Sequence, residues 1–160
     1  MKLRPLAMKD APLMLEWMHD PDVVRDLQTR FSEKTLQDCE SFIRAAADMR
    51  EDCHFAVADD QDDTYLGTVS LKHIRGDRAE FAITIRKCAM GKGVSRDAMK
   101  AVLAYGRDAL GLKRIYWCVS PDNRRAVRFY DKNGYARVPA PEDAPGYTPE
   151  QKARYIWYEA

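Results

Sequence analysis

From Cys53 to Ile85 the apolar residues recur at every second position, through Phe55 to Ala58, Tyr65 to Leu71 and Glu80 to Ile85. Two polar stretches interrupt that alternation, Asp59 to Asp63 and Arg75 to Arg78, and each is short enough to close a hairpin. Three strands joined by tight turns form an antiparallel meander, so the middle of the chain is committed to a sheet with distinct faces. The flanks have a different period. Lys2 to Leu6 alternates weakly and predicts a short strand, and Asp10 is expected to cap a helix carrying Leu13, Met14, Trp17 and Met18, which Pro21 ends. Thr35 and Asp38 have the spacing of a capping box and open a second helix with the inner stripe Leu36, Cys39, Ile43, Ala46 and Met49.

After the meander come Gly91 and Gly93, then a helix whose stripe Val94, Ala98, Ala101, Val102, Tyr105 and Ala109 runs until Gly111 stops it. Arg114 to Val119 predicts a further strand. Asp122 or Asn123 caps a short helix bearing Ala126, Val127 and Tyr130, which Gly134 terminates, and Tyr135 to Val138 and Tyr155 to Tyr158 finish as strands. Between them Pro139 to Pro149, with four prolines, reads as a loop. The sum is an α/β (α+β) pattern with a mostly antiparallel sheet of about seven strands.

A length of 160 residues fits a single domain spanning 1–160, large enough to be stable without disulfides or a structural metal. With 46% hydrophobic and 32% charged residues the chain is not disordered as a whole. Twenty-six Lys and Arg against 25 Asp and Glu leave a net charge of +1, so no global field draws it to nucleic acid or to an anionic membrane. Any anion site must be local. Cys39, Cys53, Cys88 and Cys118 form no C-x-x-C pair and have no His at zinc-ligand spacing, so no metal site is expected and the thiols are expected reduced, in a cytoplasmic protein. No stretch approaches the roughly 18 apolar residues of a membrane span, and no signal peptide is expected.

The segment Ile85-Arg-Lys-Cys-Ala-Met-Gly-Lys-Gly-Val-Ser95 carries the first chemical signal. Two glycines at a helix start leave backbone N–H groups free and let a ligand approach the main chain, while the helix dipole favours negative charge there. A phosphate or pyrophosphate suits such a turn. A Walker loop fails because no upstream glycine matches, and a Rossmann fingerprint fails because its third small residue is Arg96. A glycine turn that only joins strand to helix is the alternative.

The second signal is Asn123-Arg-Arg-Ala-Val-Arg-Phe-Tyr130, followed by Asp-Lys-Asn-Gly-Tyr135. Here the sequence resembles the GNAT N-acetyltransferase superfamily, whose acetyl-CoA loop reads Q/R-x-x-G-x-G/A and whose later helix reads N-x-x-A-x-x-x-Y-x-x-x-G-[FY]. The second pattern matches at Asn123, Ala126, Tyr130, Gly134 and Tyr135; the first matches at Gly93, with Met90 at the Q/R position and Ser95 at the last. Leu3-Arg-Pro-Leu and Leu15-Glu-Trp to Asp20-Pro-Asp-Val resemble the opening of its Rim-type branch, and Leu66-Gly-Thr-Val-Ser its usual third strand.

The resemblance implies helices on both faces of a mixed sheet whose fourth and fifth strands splay apart to admit pantetheine. It implies an acetyl-CoA-dependent N-acetyltransferase in which a primary amine attacks directly. The backbone of Ile83 and Ile85 would meet pantetheine and the thioester, and the turn Gly91, Lys92, Gly93, Val94 and Ser95 the pyrophosphate; Asn123 and Arg128 are further contacts. Tyr130 would be the general acid, or otherwise a packed aromatic with a wet hydroxyl, and it also lines the donor site. Glu80 is the candidate base; its alternative is a solvated strand carboxylate paired with Arg78 or Lys72. His19, His54 and His73 are isolated from one another and from any Ser or Cys arrangement, so no triad or metal site is expected, and nothing beside Cys118 would lower its pKa. The acceptor would be a small-molecule amine or a protein N-terminus or lysine, met by the loops Asp20 to Lys34 and Pro139 to Arg154, with the protein a monomer or homodimer. The competing readings are an acyl-CoA-binding regulatory module without catalysis and an interaction domain.

Overall fold

A computed structural model describes all 160 residues. Seven strands, β1 (Lys2–Pro5), β2 (Cys53–Ala58), β3 (Tyr65–Arg75), β4 (Arg78–Ile85), β5 (Arg114–Val119), β6 (Ala136–Val138) and β7 (Ile156–Glu159), form one sheet in the order β1-β2-β3-β4-β5-β7-β6. Every neighbouring pair is antiparallel except β4 and β5. The expected meander is β2 to β4.

Helices cover both faces. On one, α4 (Val94–Asp108) and α5 (Arg124–Lys132) bury Ala98, Met99, Val102, Leu103 and Tyr130 against Ala79, Phe81, Ile115 and Trp117 of β4 and β5. On the other, α1 (Ala11–Met18) and α3 (Leu36–Ala45) bury Met14, Trp17, Cys39 and Ile43 against Ala56 and Tyr65. The Trp17 indole donates to the Tyr65 hydroxyl at 2.9 Å, which shares a 2.7 Å hydrogen bond with Thr68, so this packed layer also satisfies its polar atoms.

Local chemistry explains where the pattern misleads. Asp10 stands before α1 yet does not cap it: its carboxylate is 1% exposed and receives both Arg4 Nη1 and Nη2 at 2.8 Å, together with the Ala7 N–H. Pro21 does not end a helix; α1 stops at Met18, and Pro21 opens the short α2 (Pro21–Val24), capped by Asp20 accepting from the Asp22 N–H. The Thr35–Asp38 capping box forms as read, but Leu36 is 43% exposed and the buried stripe is Cys39, Ile43 and Ala46. The stretch taken as a loop to Arg154 ends in α6 (Pro149–Arg154), whose Thr148 and Gln151 form a capping box legible in T-x-x-Q.

One strand position admits no side chain. A Cβ at Gly67 of β3 would lie 2.5 Å from the Thr84 carbonyl oxygen and 2.8 Å from Ile85 Cα, both backbone atoms of β4 that cannot rotate away. Gly67→Ala is expected to destabilise by about 1–3 kcal/mol, lowering the thermal midpoint by roughly 2–4 °C per kcal/mol. Unfolding followed by circular dichroism checks it, and an unchanged midpoint would rule out that close approach.

Candidate active site

The parallel pairing of β4 and β5 lasts three residues, Arg78 with Arg114, Ala79 with Ile115 and Glu80 with Tyr116, and then stops. Beyond Glu80, β4 stays bonded to β3 and β5 to β7, so the sheet opens between them. The Arg86 N–H donates to the Leu66 carbonyl of the β3 edge at 2.8 Å. By strand alternation the main-chain N–H and C=O groups of Ile85 and Ile83 therefore point away from β3, into the opening. An extended chain with amide groups can bond there as an added strand does.

The opening leads to α4. Gly93 is its N-cap residue, with φ 77°, and Gly91 has φ 75°, left-handed values that favour glycine at both positions. The N–H groups of Val94, Ser95 and Arg96 have no protein acceptor, and a Cβ at Gly91 would meet nothing within 4 Å. Free donors, the positive end of a 15-residue helix and open space beside the backbone suit a pyrophosphate. Lys92 and Arg128 are exposed, and Arg128 lines a shallow groove of about 340 Å³ with Pro121, Arg124 and Val127. Asn123 is the N-cap of α5, its side-chain oxygen accepting from the Ala126 N–H.

Tyr130 projects from the last turns of α5 and is 7% exposed, its ring 5.3 Å from that of Trp117, 5.1 Å from Tyr158 and 5.4 Å from Phe129. Trp117 is the first β5 residue past the last pair with β4. The Tyr130 hydroxyl has no hydrogen-bond partner in the protein and still touches solvent, whereas the Trp117 indole N–H is buried without a partner. Burial holds the Tyr130 phenol well above its ordinary range, so it stays protonated.

Glu80 is not a solvated carboxylate paired with Arg78 or Lys72. It is 2% exposed, its Oε1 3.0 Å from His73 Nδ1 and its Oε2 accepting the Tyr147 hydroxyl at 2.5 Å. Of the three histidines only His54 departs from the expected isolation from serine, lying 2.6 Å from Ser70 Oγ. Alternation places Lys72, not His73, opposite Glu80. A bulge after Lys72, with His73 at φ 52°, swings the imidazole round to the carboxylate, a reversal no period-two pattern shows. Tyr147 arrives from the proline-rich connection, where periodicity carries no signal. Beside it, burial pushes the Cys118 thiol up to about 12, so Cys118 is no ready nucleophile.

A mixed sheet parted between its parallel strands, with a phosphate-type helix start at one end of the parting and a buried carboxylate at the other, is the arrangement the sequence resemblance implies for an acyl-CoA-dependent transferase. A family model described as acetyltransferase (GNAT) domain matches residues 1–136, and the chain belongs to that family. Spermidine N(1)-acetyltransferase of Escherichia coli strain K12 is 27% identical over 135 residues, covering 84% of this chain and 72% of that protein. Acetyltransferase PseH of Campylobacter jejuni is 23% identical over 130 residues, covering 79% and 77%. Among solved structures, spermidine N-acetyltransferase from Vibrio cholerae, in complex with CoA and spermine, superposes with a TM-score of 0.76 at 21% identity, covering 99% of this chain and 92% of that one. The protein is an acetyl-CoA-dependent N-acetyltransferase that acts on an amine. No helix is long and apolar enough to cross a membrane.

Proposed function

We propose that the protein transfers the acetyl group of acetyl-CoA to a primary amine of a small molecule, a polyamine in the first instance, by direct attack within the β4–β5 opening. The parting of the sheet after Glu80 is the observation that carries this reading. The Ile83 and Ile85 backbone binds the pantetheine arm and the thioester carbonyl, and a main-chain N–H aimed at that oxygen stabilises the oxyanion of the tetrahedral intermediate. Gly91, Lys92, Gly93, Val94 and Ser95 hold the pyrophosphate, with Asn123 and Arg128 as outer contacts.

An alkyl ammonium of pKa about 10.4 must lose a proton before it attacks, and Glu80 accepts it directly or through one water. Tyr130, protonated and without a competing protein partner, donates to the departing CoA sulfur. The relatives named as spermidine acetyltransferases support the polyamine acceptor. A panel of amines that includes spermidine, an amino sugar and a peptide N-terminus, read by CoA thiol release, tests it; a rate confined to the peptide would overturn the small-molecule reading.

The donor seat is tested by Gly93→Asp. Aspartate tolerates the left-handed backbone better than most residues, so the fold is expected to survive while a negative charge enters the anion seat. Calorimetry is expected to show acetyl-CoA affinity reduced roughly tenfold or more, about 1.4 kcal/mol or above. Unchanged affinity in a folded variant would place the pyrophosphate elsewhere.

A further inference from the structure

Resting on the reading of Glu80 as base, we infer that His73 is the proton exit of the site, passing the amine proton from the buried carboxylate to solvent. Glu80 is 2% exposed, so a proton it accepts has no direct path to bulk water. Its polar contacts are two: the Tyr147 hydroxyl on Oε2 and His73 Nδ1 on Oε1. The Tyr147 phenol, held far above its ordinary range by burial and by Glu80, donates to the carboxylate and carries no proton away. The His73 side chain is 35% exposed, touching Glu80 at one edge and solvent at another.

The histidine stands at φ 52°, in the left-handed region that few non-glycine residues adopt, and the surroundings hold it there. The Asp52 carboxylate does so, accepting the His73 N–H at 2.8 Å. The other charged groups around this corner are Lys72 and Arg75 of β3, Arg78 of β4 and Asp143, which Arg75 approaches at 3.6 Å. None of these four makes a hydrogen bond or ion pair with the imidazole.

The transfer balances. The amine gives its proton to a Glu80 oxygen, the carboxylic acid gives it to unprotonated His73 Nδ1, and the imidazolium loses its Nε2 proton to water, leaving Glu80 anionic. Solvent, which reaches the partly exposed ring, then exchanges the proton left on Nδ1 for one on Nε2, so the acceptor nitrogen is restored and no net proton stays on the pair.

His73→Asn tests this, since asparagine adopts the left-handed backbone and puts an amide nitrogen near the position of Nδ1, preserving the hydrogen bond but not the transfer. At neutral pH kcat/KM is expected to fall roughly tenfold or more with KM for acetyl-CoA unchanged. The loss is expected to shrink as pH rises and free amine accumulates, and to be partly restored by imidazole in the buffer. In a Glu80→Gln background the same change is expected to add no further loss, because His73 acts only through Glu80. His73→Gly, which accepts the same backbone and leaves room for imidazole, gives the same readouts should the asparagine variant not fold. Activity equal to wild type, or a loss constant across pH and unrelieved by imidazole, overturns the exit role. If Glu80→Gln alone is as active as wild type, it is the base reading that fails.

Discussion

Replacing Tyr130 with phenylalanine is expected to slow acetyl transfer by about 10²- to 10⁴-fold, or roughly 3 to 5 kcal/mol of barrier. The change removes one oxygen and keeps the ring against Trp117, Phe129 and Tyr158, so the apolar area buried by α5 is retained. Because the hydroxyl has no hydrogen-bond partner in the protein, its loss orphans no buried group, and the thermal midpoint is expected to move little. Acetyl-CoA affinity is likewise expected to hold. The assay is a single turnover with saturating amine, since slow product release would hide a chemical defect in the steady state. A phenylalanine variant as fast as wild type would remove Tyr130 from the chemistry and leave it a packed aromatic.

Glu80→Gln carries the second large effect. The amide keeps the shape and one acceptor oxygen but cannot take a proton, so kcat/KM is expected to fall by about 10²-fold or more near neutral pH. The direction with pH follows from the acceptor. Below its pKa of about 10.4 the amine is mostly ammonium and needs the base, whereas at higher pH more arrives already deprotonated, so the deficit is expected to narrow as pH rises. Glu80 is buried between His73 and Tyr147, so a stability change is expected as well, and thermal unfolding measured alongside separates it from the chemical loss. A deficit of the same size at every pH would make Glu80 a positioning residue.

Much of this arrangement is legible in the residues themselves. The alternation from Cys53 to Ile85 identifies three strands, and the two glycines before Val94 mark the helix start whose N–H groups find no protein acceptor. The match of Asn123 to Tyr135 with the family's helix pattern, rather than any period, is what singles out Tyr130. What stays hidden depends on contacts distant in sequence or on a broken period. Asp10 has the composition of a cap but is claimed by Arg4, a charge-assisted pair that outweighs a single N–H contact. Tyr147 reaches Glu80 from 67 residues away. His73 stands on the wrong side of an ideal strand, and only the bulge turns it toward the carboxylate. The parallel register of β4 with β5, which decides where the sheet opens, joins two strands that α4 separates in the chain, and among the sequence signals only the family resemblance implied it.

The central claim is that the acetyl group passes directly from CoA to amine through a tetrahedral intermediate, with no acyl-enzyme between them. Rapid mixing of the protein with a stoichiometric amount of acetyl-CoA, followed by free CoA thiol, tests it most directly. Without amine the thiol is expected to stay at the level of slow hydrolysis, and with an accepted amine to appear in step with acetylated product, the protein gaining no mass. A burst of one thiol per protein without amine, leaving an acetyl group on the chain, would contradict the account, and Cys118 would be the first residue to examine.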